Sequence, residues 1–132
     1  MILALVAASA LSISVYRTIR WTLLGIAGKD PVRRFSATDR ALLIARAGHK
    51  CEQHFLWFWR CRTTTNLEAD HVHPHSKGGK THIENGQVLC ARHNKQKSAR
   101  IPYNWELRLL AKSRTAYFPP GTSVRVIRRP RS

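Results

Sequence analysis

Apolar positions along the chain change character from one end to the other. Residues 2–15, ILALVAASALSISV, form an uncharged and mostly apolar run, shorter than the ~20 residues a membrane-spanning helix needs. Continuing through Tyr16 to Ala27 supplies the length but places Arg17 and Arg20 inside the span, where charge is costly unless it snorkels or pairs. No Lys or Arg precedes the run and no convincing Ala-x-Ala site follows it, which argues against a secretory signal peptide. Residues 1–27 are therefore expected to form an apolar N-terminal helix, a short anchor or interfacial helix giving membrane association through residues 2–27. Arg17, Arg20, Lys29, Arg33 and Arg34 all follow the run, and the positive-inside tendency then leaves the rest of the chain in the cytoplasm.

Residues 28–35, with Gly28 and Pro31, have the composition of a linker. Ser36 with Asp39 three positions on resembles a capping arrangement. Ala41, Leu42, Ile44 and Ala45 recur at helical spacing until Gly48, so a helix is predicted over 37–47. The aromatic run Phe55-Leu56-Trp57-Phe58-Trp59 can stack on nucleobases, but a small domain more often spends such residues on its core, and core is the expectation. A strand is predicted over 67–72. The turn-rich HPHSKGGKTHIEN follows, then a returning strand over 87–89 and a helix over roughly 91–99. Residues 105–110 suggest a further helical segment, Pro119-Pro120-Gly121 a turn, and Ser123 to Arg129 a basic edge strand or tail. The pattern is that of one α+β domain over residues 36–118 with a basic tail over 119–132, and no internal repeat.

Charge narrows the partner. The chain has 132 residues, with 23 Lys and Arg against 7 acidic residues and a net charge of +16 with histidines neutral. That excess favours a polyanion through phosphate neutralisation and counterion release, and nucleic acid heads the list; anionic lipid is the rival. Three cysteines cannot all pair internally, which fits poorly with a disulfide framework and well with a metal in a reducing compartment. Cys51-x2-His54 and Cys90-x2-His93 supply four ligands spaced to hold one Zn²⁺, with Cys61 competing for the place of His54. Such a closed tetrahedral site is structural and contributes folding free energy that a small core lacks.

Between the two pairs lies Asp70-His71-Val72-His73-Pro74, and downstream come Asn85 and then Asn94 within Cys-x2-His-Asn-x2-Lys. The pattern LEADHVHPHSKGG followed by HIENGQVLCARHNKQKS resembles the HNH nuclease family, in particular its zinc-knuckle branch with the ββα-metal (His-Me finger) fold. The resemblance covers about residues 48–100, and from Gly48 onward the sequence is similar to small actinobacterial HNH proteins. It implies a metal-dependent DNA endonuclease, with Asp70 and Asn94 as oxygen ligands of one catalytic Mg²⁺ or Mn²⁺ and Asn85 orienting His71. Where the family name carries a final histidine, this chain has Asn94.

The residues make physical sense on their own terms. Cleaving a phosphodiester needs a base for water and a Lewis acid for the leaving oxygen. His71 is the candidate base, because an imidazole with an ordinary pKa near ~6.5 is largely neutral at cellular pH. Asp70, its neighbour, points to the opposite side of a strand, so both face one point only if the strand ends or twists there. His73, His75 and His82 crowd the same loop without an assigned role. Lys95, Lys97 and Arg100 are placed to contact DNA phosphate, and nothing resembles an element that reads base sequence, so little sequence specificity and nicking at a single metal site are expected. No organic cofactor is implied. A non-catalytic zinc-knuckle DNA-binding protein is the alternative.

Overall fold

The computed structural model describes residues 15–16, 19, 29–56 and 59–128. The expected apolar N-terminal helix therefore falls almost wholly outside the described residues, as do Trp57 and Phe58. Among the described residues no helix is long and apolar enough to cross a membrane.

Ser36 starts the first helix, α1 (Ala37–Arg46), in the way its spacing predicts. The Ser36 hydroxyl accepts the Asp39 amide at 3.0 Å, satisfying one of the donors a helix start leaves open. Gly48 follows in the left-handed conformation. α1 buries Leu43 and Ala47, the latter just past its last turn.

Two short antiparallel sheets follow. In the first, β1 (His54–Phe55) pairs with β2 (Trp59–Arg60), with His54 opposite Arg60. In the second, β3 (Leu67–His71) pairs with β4 (Gly86–Cys90), the register running from Leu67 opposite Cys90 to His71 opposite Gly86. β4 leads into α2 (Ala91–Lys97), and α3 (Asn104–Arg114) ends the regular structure. The succession strand, loop, strand, helix matches the expectation from sequence. Helix α3 is longer than the 105–110 segment anticipated: it starts one residue earlier, where the Tyr103 amide donates to Glu106, and runs one turn further, to Arg114.

Leu43, Ala47, Leu67, Val88 and Leu89 form the core together with Cys51, Cys61 and Cys90, so the sulfur atoms lie within the apolar centre. Phe55, Leu56 and Trp59 do not join it. They are 44%, 68% and 65% exposed, which overturns the expectation of core for these three. The hairpin they occupy is only two residues deep on each side. The C-terminal stretch forms no strand across residues 122–127, although Ile127 donates to the Glu84 carbonyl and Arg128 accepts from Lys80 through the backbone. Residues 30–35, anticipated as a linker, lie against the β3–β4 loop through contacts described below.

Candidate active site and metal centre

Four of the five candidate zinc ligands come together. Cys51, Cys61, Cys90 and His93 are all buried, and their ligand atoms lie within 4.8 Å of one another. For Zn–S bonds of about 2.3 Å a tetrahedral site has edges of about 3.8 Å, so this donor set suits zinc. Cys61 takes the place expected of His54, and the reason is backbone conformation. Cys90 closes β4 and His93 sits in the first turn of α2, where the chain curls and brings Cys90 Sγ within 3.2 Å of His93 Nδ1. From Cys51 to His54 the chain is extended, and three positions along an extended chain put side chains on opposite faces. His54 instead lines a cavity beneath α3 with Glu52, Trp105 and Leu109. The hairpin then returns Cys61, whose amide donates to the Gln53 carbonyl at 2.7 Å, beside Cys51. Burial pushes the Cys51 thiol up to about 12, so a bound dication is what would ionise it.

At the other end of the ladder, β3 finishes at His71. Asp70 and His71 both reach an open cleft lined also by Lys29, Arg33, His75, Ser98 and Ala99. The end of the strand removes the opposite-face objection. The His71 ring packs on Phe35, with centroids 4.6 Å apart, and its Nε2 lies 2.8 Å from Thr81 Oγ1. Thr81 Oγ1 itself donates to the Val32 carbonyl. A hydroxyl has one hydrogen, so Thr81 accepts from His71, and Nε2 carries the proton of the neutral ring. The Nδ1 lone pair is then the available base. Burial is the main cause lowering the His71 pKa, opposed by Asp70 and reinforced by His75 and Lys97.

Asn85 is fully buried beneath the loop. Its Oδ1 accepts the His73 amide at 2.9 Å, while Nδ2 donates to the carbonyls of His73 at 3.1 Å and Lys80 at 2.8 Å. The Asn85 carbonyl accepts the Val72 amide at 2.8 Å. Asn85 thus acts on His71 through the backbone of the next two residues and does not touch the imidazole. The loop passes so close that a Cβ on Gly79 would lie 1.9 Å from the His73 carbonyl oxygen.

Glu68 and Asp70 share the other face of β3, and α2 covers it. Asn94 Nδ2 donates to Glu68, and Lys97 Nζ lies 2.7 Å from Asp70 Oδ2 and 2.7 Å from the His71 carbonyl. Gln87 donates to the same Asp70 oxygen at 3.1 Å. Glu68, Asp70 and Asn94 offer the hard oxygen donors that Mg²⁺ or Mn²⁺ prefers, so the donor set fits such an ion.

A family model described as HNH endonuclease matches residues 60–110. Over these residues the chain is similar to the HNH endonuclease family. No curated protein and no solved structure matches the chain. The HNH segment spans β2 to the middle of α3 and contains Asp70, His71, Asn85 and Asn94, together with three of the four cluster residues, Cys61, Cys90 and His93. That similarity points to nuclease activity in general.

Of the residues expected to contact DNA from this segment, Lys95 is exposed. Lys97 is not free for that purpose; its side chain is 9% exposed and paired with Asp70. Arg100 is held by both Glu106 oxygens at 2.7 Å. Among the loop histidines, His73 is buried, His82 pairs with Glu84 at 2.9 Å, and His75 faces the cleft with its ring centroid 5.8 Å from His71.

Sequence reasoning missed three groups. Thr81 and Asp30 are one: Asp30 Oδ2 accepts the Thr81 amide at 2.7 Å, and the Asp30 carbonyl accepts from His75 Nε2 at 2.8 Å. Glu52 and Arg114 are another, a pair 1% exposed on both sides that also engages Tyr117, Val88 and the Gly86 carbonyl. Arg60 is the third, donating to the carbonyls of Ala47, Lys50 and Cys51 and stacking 3.8 Å from the Tyr117 ring centroid. Each joins residues far apart in sequence, where no spacing pattern exists to be read.

Proposed function

We propose that this protein is a metal-dependent DNA endonuclease of the ββα-metal type, with β3, β4 and α2 as the catalytic unit. The observation that carries this reading is the fixed His71 ring, with Nε2–H bound to Thr81 and Nδ1 left as base beside Asp70 in a cleft flanked by Lys29 and Arg33.

The two cations draw a phosphodiester into the cleft. His71 Nδ1 takes a proton from water as the water oxygen bonds to phosphorus, and the P–O bond to the leaving strand breaks. Asp70 and Asn94, with Glu68 close by, would hold the divalent ion, which would supply charge stabilisation at the leaving oxygen. Asn85 keeps the loop closed over His71. The ring's lowered pKa keeps Nδ1 unprotonated at neutral pH. Cys51, Cys61, Cys90 and His93 would hold a Zn²⁺ that serves the fold. One such site cuts one strand, and backbone contacts alone give little sequence preference.

Supercoiled plasmid incubated with the protein in Mg²⁺, Mn²⁺ or EDTA, beside His71→Ala, tests this. Metal-dependent nicking that is lost in the variant is the expected result. Equal cleavage by the variant would remove His71 from the mechanism. A second reading, a non-catalytic DNA-binding protein, is favoured by the Lys97 ammonium seated on Asp70; DNA binding without cleavage in either metal would establish it.

A further inference from the structure

The aromatic run singled out in the sequence is left unused by the proposed chemistry. Phe55, Leu56 and Trp59 stand exposed on the β1–β2 hairpin. Phe55 and Trp59 line an open cleft together with Lys50, Arg62 and Arg92, and among the described residues no acidic one lines it. Arg60 lies there too, but its guanidinium is spent on three backbone carbonyls. Rings flanked by cations suit a ligand with both flat apolar faces and negative charge.

The location ties this cleft to the proposed catalytic one. Arg92 is at the start of α2, whereas Ser98 and Ala99, just past its end, line the cleft that holds His71. Lys95 is exposed between them, one turn from Arg92 and so on the same face. Six residues of helix span about 9 Å at ~1.5 Å per residue. A nucleic-acid strand advances ~3.4 Å per nucleotide in duplex geometry, so about three nucleotides bridge the two clefts.

We propose that the hairpin is a stacking platform for an unpaired base of the DNA strand that runs along α2 from the cleft, which makes single-stranded or locally unpaired DNA the preferred ligand. The faces of paired bases are covered by their neighbours in a duplex, so an exposed ring such as Trp59 gains from stacking only where a base is free. The choice of DNA rests on the nuclease reading above; the platform itself is read from the hairpin.

The test is binding by the full chain carrying His71→Ala, in the presence of Mg²⁺, to a fluorescent 20-nucleotide single strand and to its duplex. Trp59→Ala on this background is expected to weaken single-strand binding by about five- to 100-fold, the span that base–aromatic stacking gives, while duplex binding changes less than twofold. Trp59→Phe is expected to restore most of it. Arg62→Ala, an exposed change that leaves the rings in place, weakens both ligands, the single strand by more. Equal losses on strand and duplex with Trp59→Ala, no loss on either, or no binding of either DNA by the parent overturns the platform. So does Trp59-dependent binding to phosphatidylserine vesicles without an effect on DNA, which would make the hairpin a membrane contact. Plasmid cleavage by the protein with His71 intact is run beside it: a Trp59 effect on binding with no cleavage leaves the platform standing and removes the nuclease reading instead.

Discussion

The two ends of the β3–β4 ladder are closed by unlike means. Where Leu67 faces Cys90, three thiols and an imidazole converge inside the core, with contacts chiefly to one another. Where His71 faces Gly86, the buried Asn85 amide and the Thr81 hydroxyl tie the loop with hydrogen bonds to backbone and ring. The first arrangement suits a group of soft donors that needs a cation to be stable. The second suits a group that must keep a base in one orientation yet leave it open to solvent and substrate. Stability is thus concentrated at the end away from the proposed reaction.

Stripping or disabling the cluster is expected to have the largest effect. Structural zinc contributes about 10–16 kcal/mol in small domains, comparable to or above the ~5–15 kcal/mol total stability of a folded domain. Cys61→Ser should therefore lose bound zinc and the cooperative thermal transition, whereas His54→Ala should keep both. Zinc content by atomic absorption beside circular dichroism checks this, and the opposite pattern would return His54 to the cluster. Next comes Arg114→Met, which leaves the Glu52 carboxylate buried with only Tyr117 and the Val88 amide. Removing one partner of a buried pair costs about 3–5 kcal/mol, read as a lower urea midpoint. Adding Glu52→Gln should recover part of it.

Smaller effects belong to the loop end. Gly79→Ala puts a methyl group against the His73 carbonyl, which is backbone and cannot swing aside. A destabilisation of about 1–3 kcal/mol, the usual cost of overpacking, is expected in urea, with a larger fractional loss of nicking as the loop after His71 is displaced. Nicking that survives intact would mean the loop end tolerates movement, and the contrast between the ends would be weaker than drawn.

Much of this architecture is legible in local pattern. Ser36 with Asp39 marks the α1 start, the alternation around Asp70 marks β3, and Cys90-x2-His93 finds its geometry because a strand hands over to a helix there. Cys51-x2-His54 has the same spacing but an extended backbone, so the spacing alone cannot say that Cys61 joins the cluster. Phe55, Leu56 and Trp59 read as core because apolar content is visible in sequence, whereas their exposure on a hairpin two residues deep is not. Thr81, Asp30, Glu52 and Arg114 escape because their partners are ten to 62 positions away. One signal was available for Glu52: an acid beside a metal-ligand cysteine in a chain with 7 acids against 23 bases has few reasons to be there except a buried pair.

The smallest change separates orientation from stability. Thr81→Val keeps the shape of the side chain and removes the hydroxyl that accepts from His71 Nε2 and donates to Val32. The ring is then free to place its proton on either nitrogen, and only one tautomer leaves Nδ1 as base. Nicking should fall by about 10–100-fold, as it does when groups that orient functional side chains are removed, while the urea midpoint barely moves. Nitrogen NMR of His71 should show the Nε2–H form giving way to a mixture. Thr81→Ser, which retains the hydroxyl, should restore both. Truncation separates the same roles along the chain: removing residues 1–28 should leave the His71 signal unchanged, whereas removing residues 1–35 takes away Asp30, Val32 and Phe35 and should reproduce the valine spectrum. An unchanged tautomer in both would mean that the loop positions its base without the segment lying against it, and the loop end would then be as self-contained as the cluster end.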